Sequence, residues 1–268
     1  MKLTVKDFIT KLFLDTKSIY RNLTKTTHPG KDFNFPGGYR LVFMDYFRGN
    51  WQRQWENYFP PETPYHPGAL HQWYDVNRVS IDQRGLVLES KKISRYFPEL
   101  YKSIPNAVGS IQSKQAWKYG IFKFNAAMPV GKWLWPAIWL TGHNTWPPEI
   151  DIVECWTENS ETCKKPTTNI HISKGGKHSQ YPSFGHIIPN AGFYEVLLHW
   201  EIDFVKIYYN GYLVYQITDK KVLDKINDEQ RVVFTAGTDD KDRFKGDNKS
   251  PLIIKSVEIY QKNNNHDS

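Results

Sequence analysis

The chain has 268 residues, a net charge of +7 and two cysteines, with 40% hydrophobic and 15% aromatic residues. That length suits one large all-β domain or two small ones, and the apolar share supports a sizeable core. No apolar run is long enough to span a membrane, no cysteine–histidine spacing suits zinc, and no nucleic-acid-binding motif appears. The positive charge is read in two ways, as solubility or as attraction to an anionic partner such as a sulfated or carboxylated polysaccharide.

Met1 to Leu14 carries Asp7 inside its apolar part and does not read as a signal peptide. Export would then start from a processed chain or use another route, such as packaging on a virus particle. Val5, Phe8, Ile9, Leu12 and Phe13 fall at helical spacing and predict a short amphipathic helix packed on the domain. Lys17 to Arg40 is polar, with His28-Pro29-Gly30 and Phe35-Pro36-Gly37-Gly38 as turn signals, and reads as a connector. Residues 1–38 are therefore an extension, 39–262 the main domain and 263–268 a frayed tail.

From Tyr39 on, short strands dominate. Tyr39 to Phe47 opens the series. Trp51 to His71 is a proline-rich aromatic loop, and Trp51, Trp55, Tyr58, Trp73 and Tyr74 are candidates to wall a cleft. Val79 to Ile81 and Leu86 to Leu88 flank a hairpin turn. Strands follow at Ile111 to Lys114 and Trp117 to Met128. Next comes the tryptophan-rich stretch Gly131 to Leu140, with Trp133, Trp135 and Trp139.

Glu149-Ile150-Asp151-Ile152-Val153-Glu154 places three carboxylates in six residues among β-branched neighbours, which predicts a strand. Alternation puts Glu149 and Asp151 on one face but would send Glu154 into the core, a costly place for an unpaired acid. A single β-bulge at Ile152-Val153 returns Glu154 to the face of the other two. Two carboxylates about 5–5.5 Å apart are what a retaining glycosidase needs. A third acid between them can help hold the pair in different protonation states. The plain alternative is a solvated acidic edge strand. The flanking tryptophans favour a sugar site, where rings stack on pyranose faces.

Cys155 and Cys163 bracket the loop after the acid strand; a disulfide and two free thiols are both open from sequence. Thr167 to Ser173 alternates, with Ile170 and Ile172 toward the core and Asn169 and His171 on the other face. If this strand adjoins the acids, Asn169 and His171 enter the cleft. Lys174 to Asn190, with Lys174, Lys177, His178 and His186, reads as a loop that either contacts an anionic sugar or is simply solvated. Phe193 to Ile202 and Phe204 to Ile217 supply the back of the structure, with Asn210-Gly211 as a hairpin turn. Arg231 to Ala236 and Leu252 to Tyr260 close it.

The acid motif, preceded by Trp135-Pro136-Ala137-Ile138-Trp139, resembles glycoside hydrolase family 16. Its E-x-D-x-x-E spacing is similar to the bulged branch containing laminarinases and marine galactanases. The resemblance runs from about Tyr39 to Gln261. It implies a β-jelly-roll sandwich of two antiparallel sheets with the cleft across the concave one. Carried over, Glu149 would be the nucleophile, Asp151 its helper and Glu154 the general acid/base. Trp135, Trp139 and Trp156 would stack on sugar, and His171 would bond near Glu154 or the substrate. Lys123, Asn125 and Ala127 stand where the family carries Glu, Arg and Lys, and are expected on the cleft side.

The implied activity is endo-acting retaining hydrolysis of a β-1,3- or mixed β-1,3/1,4-glucan. Alternatives are a hydrolase of a sulfated galactan (agar, porphyran, carrageenan), a transglycosylase, or a silent polysaccharide-binding sandwich. No cofactor is required by that reading. Calcium on the convex face occurs in family members, although no ligand set is legible here. The expected partner is a polysaccharide, with no nucleic acid or membrane, and the expected state is a monomer at an extracellular, particle or cell-surface location.

Overall fold

Strands with alternating apolar residues assemble into two antiparallel sheets that bury those residues against each other. A computed structural model describes residues 33–263, apart from 60–61, 67–68, 159, 164–165, 184–191, 240–242 and 247. The expected N-terminal helix, His186 and the tail from residue 264 lie outside the described residues. No helix among the described residues is long and apolar enough to cross a membrane.

Among those residues the cleft sheet has seven strands, in the order Lys177–Gln180, Thr167–Lys174, Glu149–Glu154, Leu134–Gly142, Gln230–Thr238, Ser110–Ser113 and Trp55–Asn57. The back sheet has eight. Its order is Tyr212–Ile217, Val205–Tyr209, Tyr194–Trp200, Gly120–Ala127, Leu252–Lys262, Gly85–Leu88 and Val79–Asp82, with Tyr39–Asp45 also paired to Leu252–Lys262. This is the expected jelly-roll sandwich. Phe124 of the back sheet meets Phe234 of the cleft sheet edge to face, with ring centroids 5.9 Å apart.

A small third sheet joins Gln72–Tyr74 in parallel to Asn106–Val108. It rests on a separate apolar cluster that includes Trp73, Phe97 and Ile104, and Gln72 and Asn106 tie it to Thr238 of the cleft sheet by hydrogen bonds. Before the first strand, Phe33 packs on Tyr208 at 5.0 Å and Phe35 on Tyr260 at 4.8 Å.

Two hairpins show what their turns require. Asn210 and Gly211 take φ of 50° and 85°, the left-handed pair of a two-residue type I′ turn. Gly175 and Gly176 do the same at 59° and 74°, turning Thr167–Lys174 into Lys177–Gln180. The segment read as a loop from Lys174 thus begins as a hairpin. A Gly-Gly pair before Lys177 is the signal for it.

Lys123, Asn125 and Ala127 require a correction. Their strand lies in the back sheet, between Tyr194–Trp200 and Leu252–Lys262. Phe122, Phe124 and Ala126 fill the core, so the alternate side chains face away from the cleft. Lys123 pairs there with Glu195 at 3.1 Å.

The bulge forms as the sequence requires. Trp139 pairs with Asp151 and Ile138 with Val153, which leaves Ile152 as the extra residue. Both Ile152 and Val153 are fully buried. The Ile152 carbonyl accepts a hydrogen bond from the Tyr209 hydroxyl of the back sheet at 3.0 Å. Immediately after the strand, Cys155 and Cys163 are disulfide-bonded, with Cα atoms 5.4 Å apart.

Removing the Tyr209 hydroxyl strands a buried carbonyl, which costs about 1–3 kcal/mol. Tyr209→Phe is therefore expected to lower unfolding free energy by about that amount in urea titration, with an unchanged denaturant slope.

Candidate active site

The acid strand lies between the tryptophan strand Leu134–Gly142 and the histidine strand Thr167–Lys174. On one side Glu149, Asp151 and Glu154 are opposite Thr141, Trp139 and Ala137. On the other they are opposite His171, Asn169 and Thr167. Because the bulge restores the phase of the pleat, all three carboxylates line one cleft of about 480 Å³. Trp135, Trp139 and Trp146 form part of its wall, and Tyr58, Phe59 and Tyr74 another part. Phe59 and Tyr74 stack at 4.8 Å, while Tyr58 packs edge-on against Trp139 at 5.0 Å.

Each acid has its own donor. Trp146 Nε1 donates to Glu149 Oε2 at 2.9 Å. Trp135 Nε1 donates to Glu154 Oε1 at 2.8 Å. The central acid meets His171, whose Nε2 lies 3.0 Å from Asp151 Oδ2 and 3.4 Å from Glu149 Oε1. His171 Nε2 thus stands beside two carboxyls, Asp151 and Glu149, whose mutual repulsion disfavours ionising both.

Burial pushes all three acids up. The Asp151 charge raises Glu149 further, and Glu154 raises Asp151. Opposing this, His171 and the Trp146 N–H lower Glu149, and the Trp135 N–H and His171 lower Glu154. Two acids with different donors around a shared central acid can hold different protonation states at one pH.

The structure brings together Glu149, Asp151, Glu154, Trp135 and Trp139 as cleft-lining residues. Trp156 stacks on Trp135 with ring centroids 4.2 Å apart, so it braces that ring and does not itself line the cleft. Asn169 and His171 support the acids from the neighbouring strand. His171 was expected near Glu154 or the substrate, but register places it against Asp151 and Glu149. Of the five loop aromatics considered as cleft walls, Tyr58 and Tyr74 line it. Trp55 is fully buried, Trp73 belongs to the smaller cluster and Trp51 packs against the main core.

Sequence reasoning missed Trp146 and Phe59 as site residues and weighed His178 only as part of a loop that contacts an anionic sugar or is solvated. Trp146 stands three residues before Glu149, and this proximity was the available signal. His178 reaches the site only through the unrecognised Gly-Gly hairpin. Among the described residues, Glu149, Asp151 and His171 are the one acid–histidine group with ligand atoms within 4.8 Å of one another. Their lone pairs face the N–H donors just described, which suits a proton-sharing network better than a cation.

An antiparallel sandwich with three strand-borne carboxylates in an aromatic cleft defines the class, a jelly-roll glycoside hydrolase fold. Residues 69–240 match the model of Glycosyl hydrolases family 16, and the chain belongs to that family. It is 27% identical over 165 residues to the endo-1,3-1,4-beta-glycanase EglC of Rhizobium meliloti (strain 1021), covering 60% of this chain and 33% of that protein. It is 25% identical over 211 residues to the glucan endo-1,3-beta-glucosidase A1 of Niallia circulans, covering 69% of this chain and 30% of the relative. The chain thus spans about a third of the length of these curated relatives. The crystal structure of LamAcat from Zobellia galactanivorans superposes with a TM-score of 0.70 at 22% identity, covering 82% of this chain and 97% of that one. This last likeness is one of fold.

The raised acids make a stability prediction. In the folded state they hold protons that the unfolded chain has released, so their contribution to stability falls as pH rises from about 4 through the raised values. Asp151→Asn removes the central charge and keeps an acceptor for His171. It is expected to raise unfolding free energy at pH 7 by on the order of 1 kcal/mol, with the gain shrinking toward pH 4. Thermal melts of both proteins across that range check it.

Proposed function

We propose that the chain is an endo-acting retaining β-glycosidase that cleaves a neutral β-1,3- or mixed β-1,3/1,4-glucan. The observation carrying the substrate class is the cleft lining: aromatic rings and three acids, with no Lys or Arg among the described lining residues. Aromatic faces suit the apolar faces of pyranose rings, while three carboxylates oppose sulfate or uronate groups. The +7 charge therefore lies outside the described lining, which argues against the sulfated-galactan reading. The endo mode and the glucan linkages are supported by the names of the curated relatives, an endo-1,3-1,4-beta-glycanase and a glucan endo-1,3-beta-glucosidase.

In this reading Glu149 attacks the anomeric carbon. The Trp146 N–H bonded to it and the nearby His171 ring both favour the charged form that a nucleophile needs. Glu154 gives its proton to the leaving oxygen, helped by the burial that raises its pKa. The glycosyl–Glu149 ester is then hydrolysed by a water whose proton Glu154 takes, so the anomeric configuration is retained. Asp151 holds a proton while Glu149 is charged, which prevents two adjacent carboxyls from both being ionised.

Reducing-end release is expected on laminarin or lichenan, with none on κ-carrageenan or porphyran. Glu149→Gln should lose about 10³-fold or more in turnover while keeping its fold by circular dichroism. Full activity in that variant, or activity confined to the sulfated polymers, would sink the assignment.

A further inference from the structure

We propose that His178 is a positioning residue for this reaction, fixing through His171 whether Asp151, beside Glu149, holds a proton. The inference rests on the glycosidase reading above. It begins from an unusual feature of His171: both ring nitrogens are engaged. Nε2 faces Asp151 at 3.0 Å, and Nδ1 lies 2.7 Å from His178 Nε2. The two imidazoles are nearly parallel, 6° apart in plane. His178 is exposed, so Asp151, His171 and His178 form a line from the buried acid to solvent.

The surroundings restrict how the line can be protonated. From the acid strand, Glu149, Asp151 and Glu154 bear on His171. From the hairpin it meets His178, while Lys174 and Lys177 stand at that hairpin's exposed turn. Trp146 closes the other side, its ring 5.1 Å from His178. Asn169 Oδ1 accepts the Tyr181 backbone N–H, which leaves the Asn169 Nδ2 donor pointing at His171 Nε2, 2.9 Å away.

Two arrangements suit the line from Asp151 through His171 to His178, and the first also keeps the Asn169 donor on His171 Nε2. In the first, His171 carries its proton on Nδ1 and donates to His178, while Nε2 accepts and Asp151 is protonated. In the second, Nε2–H donates to an ionised Asp151, Nδ1 accepts from His178 Nε2–H, and the Asn169 amide gives up His171 and keeps only its Gln180 Oε1 acceptor, 3.3 Å away. Going from the first to the second, the Asp151 proton moves to His171 Nε2 and the Nδ1 proton moves to His178. The carboxyl gains a negative charge and His178 becomes an imidazolium, which can release a proton to water. Atoms and charge balance with no other reactant. The relay lets the Glu149–Asp151 pair change its proton count when Glu149 becomes an ester and when it is freed. Burial and the neighbouring His171 pull His178 down, which favours its neutral, proton-accepting form near neutrality.

The test uses His178→Gln, which keeps a hydrogen-bonding end without titrating, and His178→Ala. Long-range nitrogen–proton spectra of the imidazoles read the His171 tautomer directly and need no substrate. In both variants the His171 nitrogen shifts are expected to change, and the acidic limb of kcat against pH to move. Turnover should fall roughly tenfold with KM nearly constant. Unchanged His171 shifts together with an unchanged pH profile would overturn the proposal. So would a loss confined to KM, which would mark His178 as a sugar contact. A wild-type protein inactive on every glucan would remove the glycosidase reading, and the nitrogen spectra would still decide whether His178 controls His171.

Discussion

One extra residue in one strand governs this site. Without the bulge at Ile152, the pleat would aim Glu154 at the core, where an ionised carboxylate is prohibitive. With it, Ile152 and Val153 both go inward and three acids stand on the cleft side. The kink leaves a carbonyl outside the ladder, and the opposite sheet supplies its donor from Tyr209. The back sheet therefore helps hold the acid strand's geometry, although none of its residues lines the described cleft.

Crowding three carboxylates is electrostatically unfavourable, and the neighbours distribute that strain unequally. Tryptophans serve twice: their rings wall the cleft while Trp146 and Trp135 turn N–H groups onto the outer acids. The central acid receives an imidazole instead, and that imidazole is itself held by a second one. Different partners separate the acids' protonation behaviour, as the proposed pairing of a nucleophile with a proton donor on one strand requires. Tyr74 of the aromatic wall sits in its own small sheet, which the Thr238 N–H ties to the acid-bearing sheet through Gln72 Oε1.

The disulfide and the stacked Trp156 continue the same logic beyond Glu154. Cys155 is the next residue along, fully buried and bridged. Trp156 lies flat on Trp135, whose indole N–H holds Glu154. A short covalent loop thus steadies the ring that steadies the acid.

The sequence by itself determined the sandwich, the acid strand and its bulge, because these follow from period-two alternation and from the cost of burying an acid. The Asn210-Gly211 hairpin was equally legible, since that pair matches the left-handed backbone its turn needs. Only tertiary structure decided which sheet each strand joined, and this is why Lys123, Asn125 and Ala127 were expected in the cleft and were found on the back. Alternation tells which residues share a face, but not which face meets substrate. Register decided the partner of His171, and the folding back of the hairpin beyond it decided that of His178. The split of Trp55 and Trp73 from Tyr58 and Tyr74 was likewise invisible, because an aromatic side chain carries the same apolar surface whether it fills a core or lines a cleft.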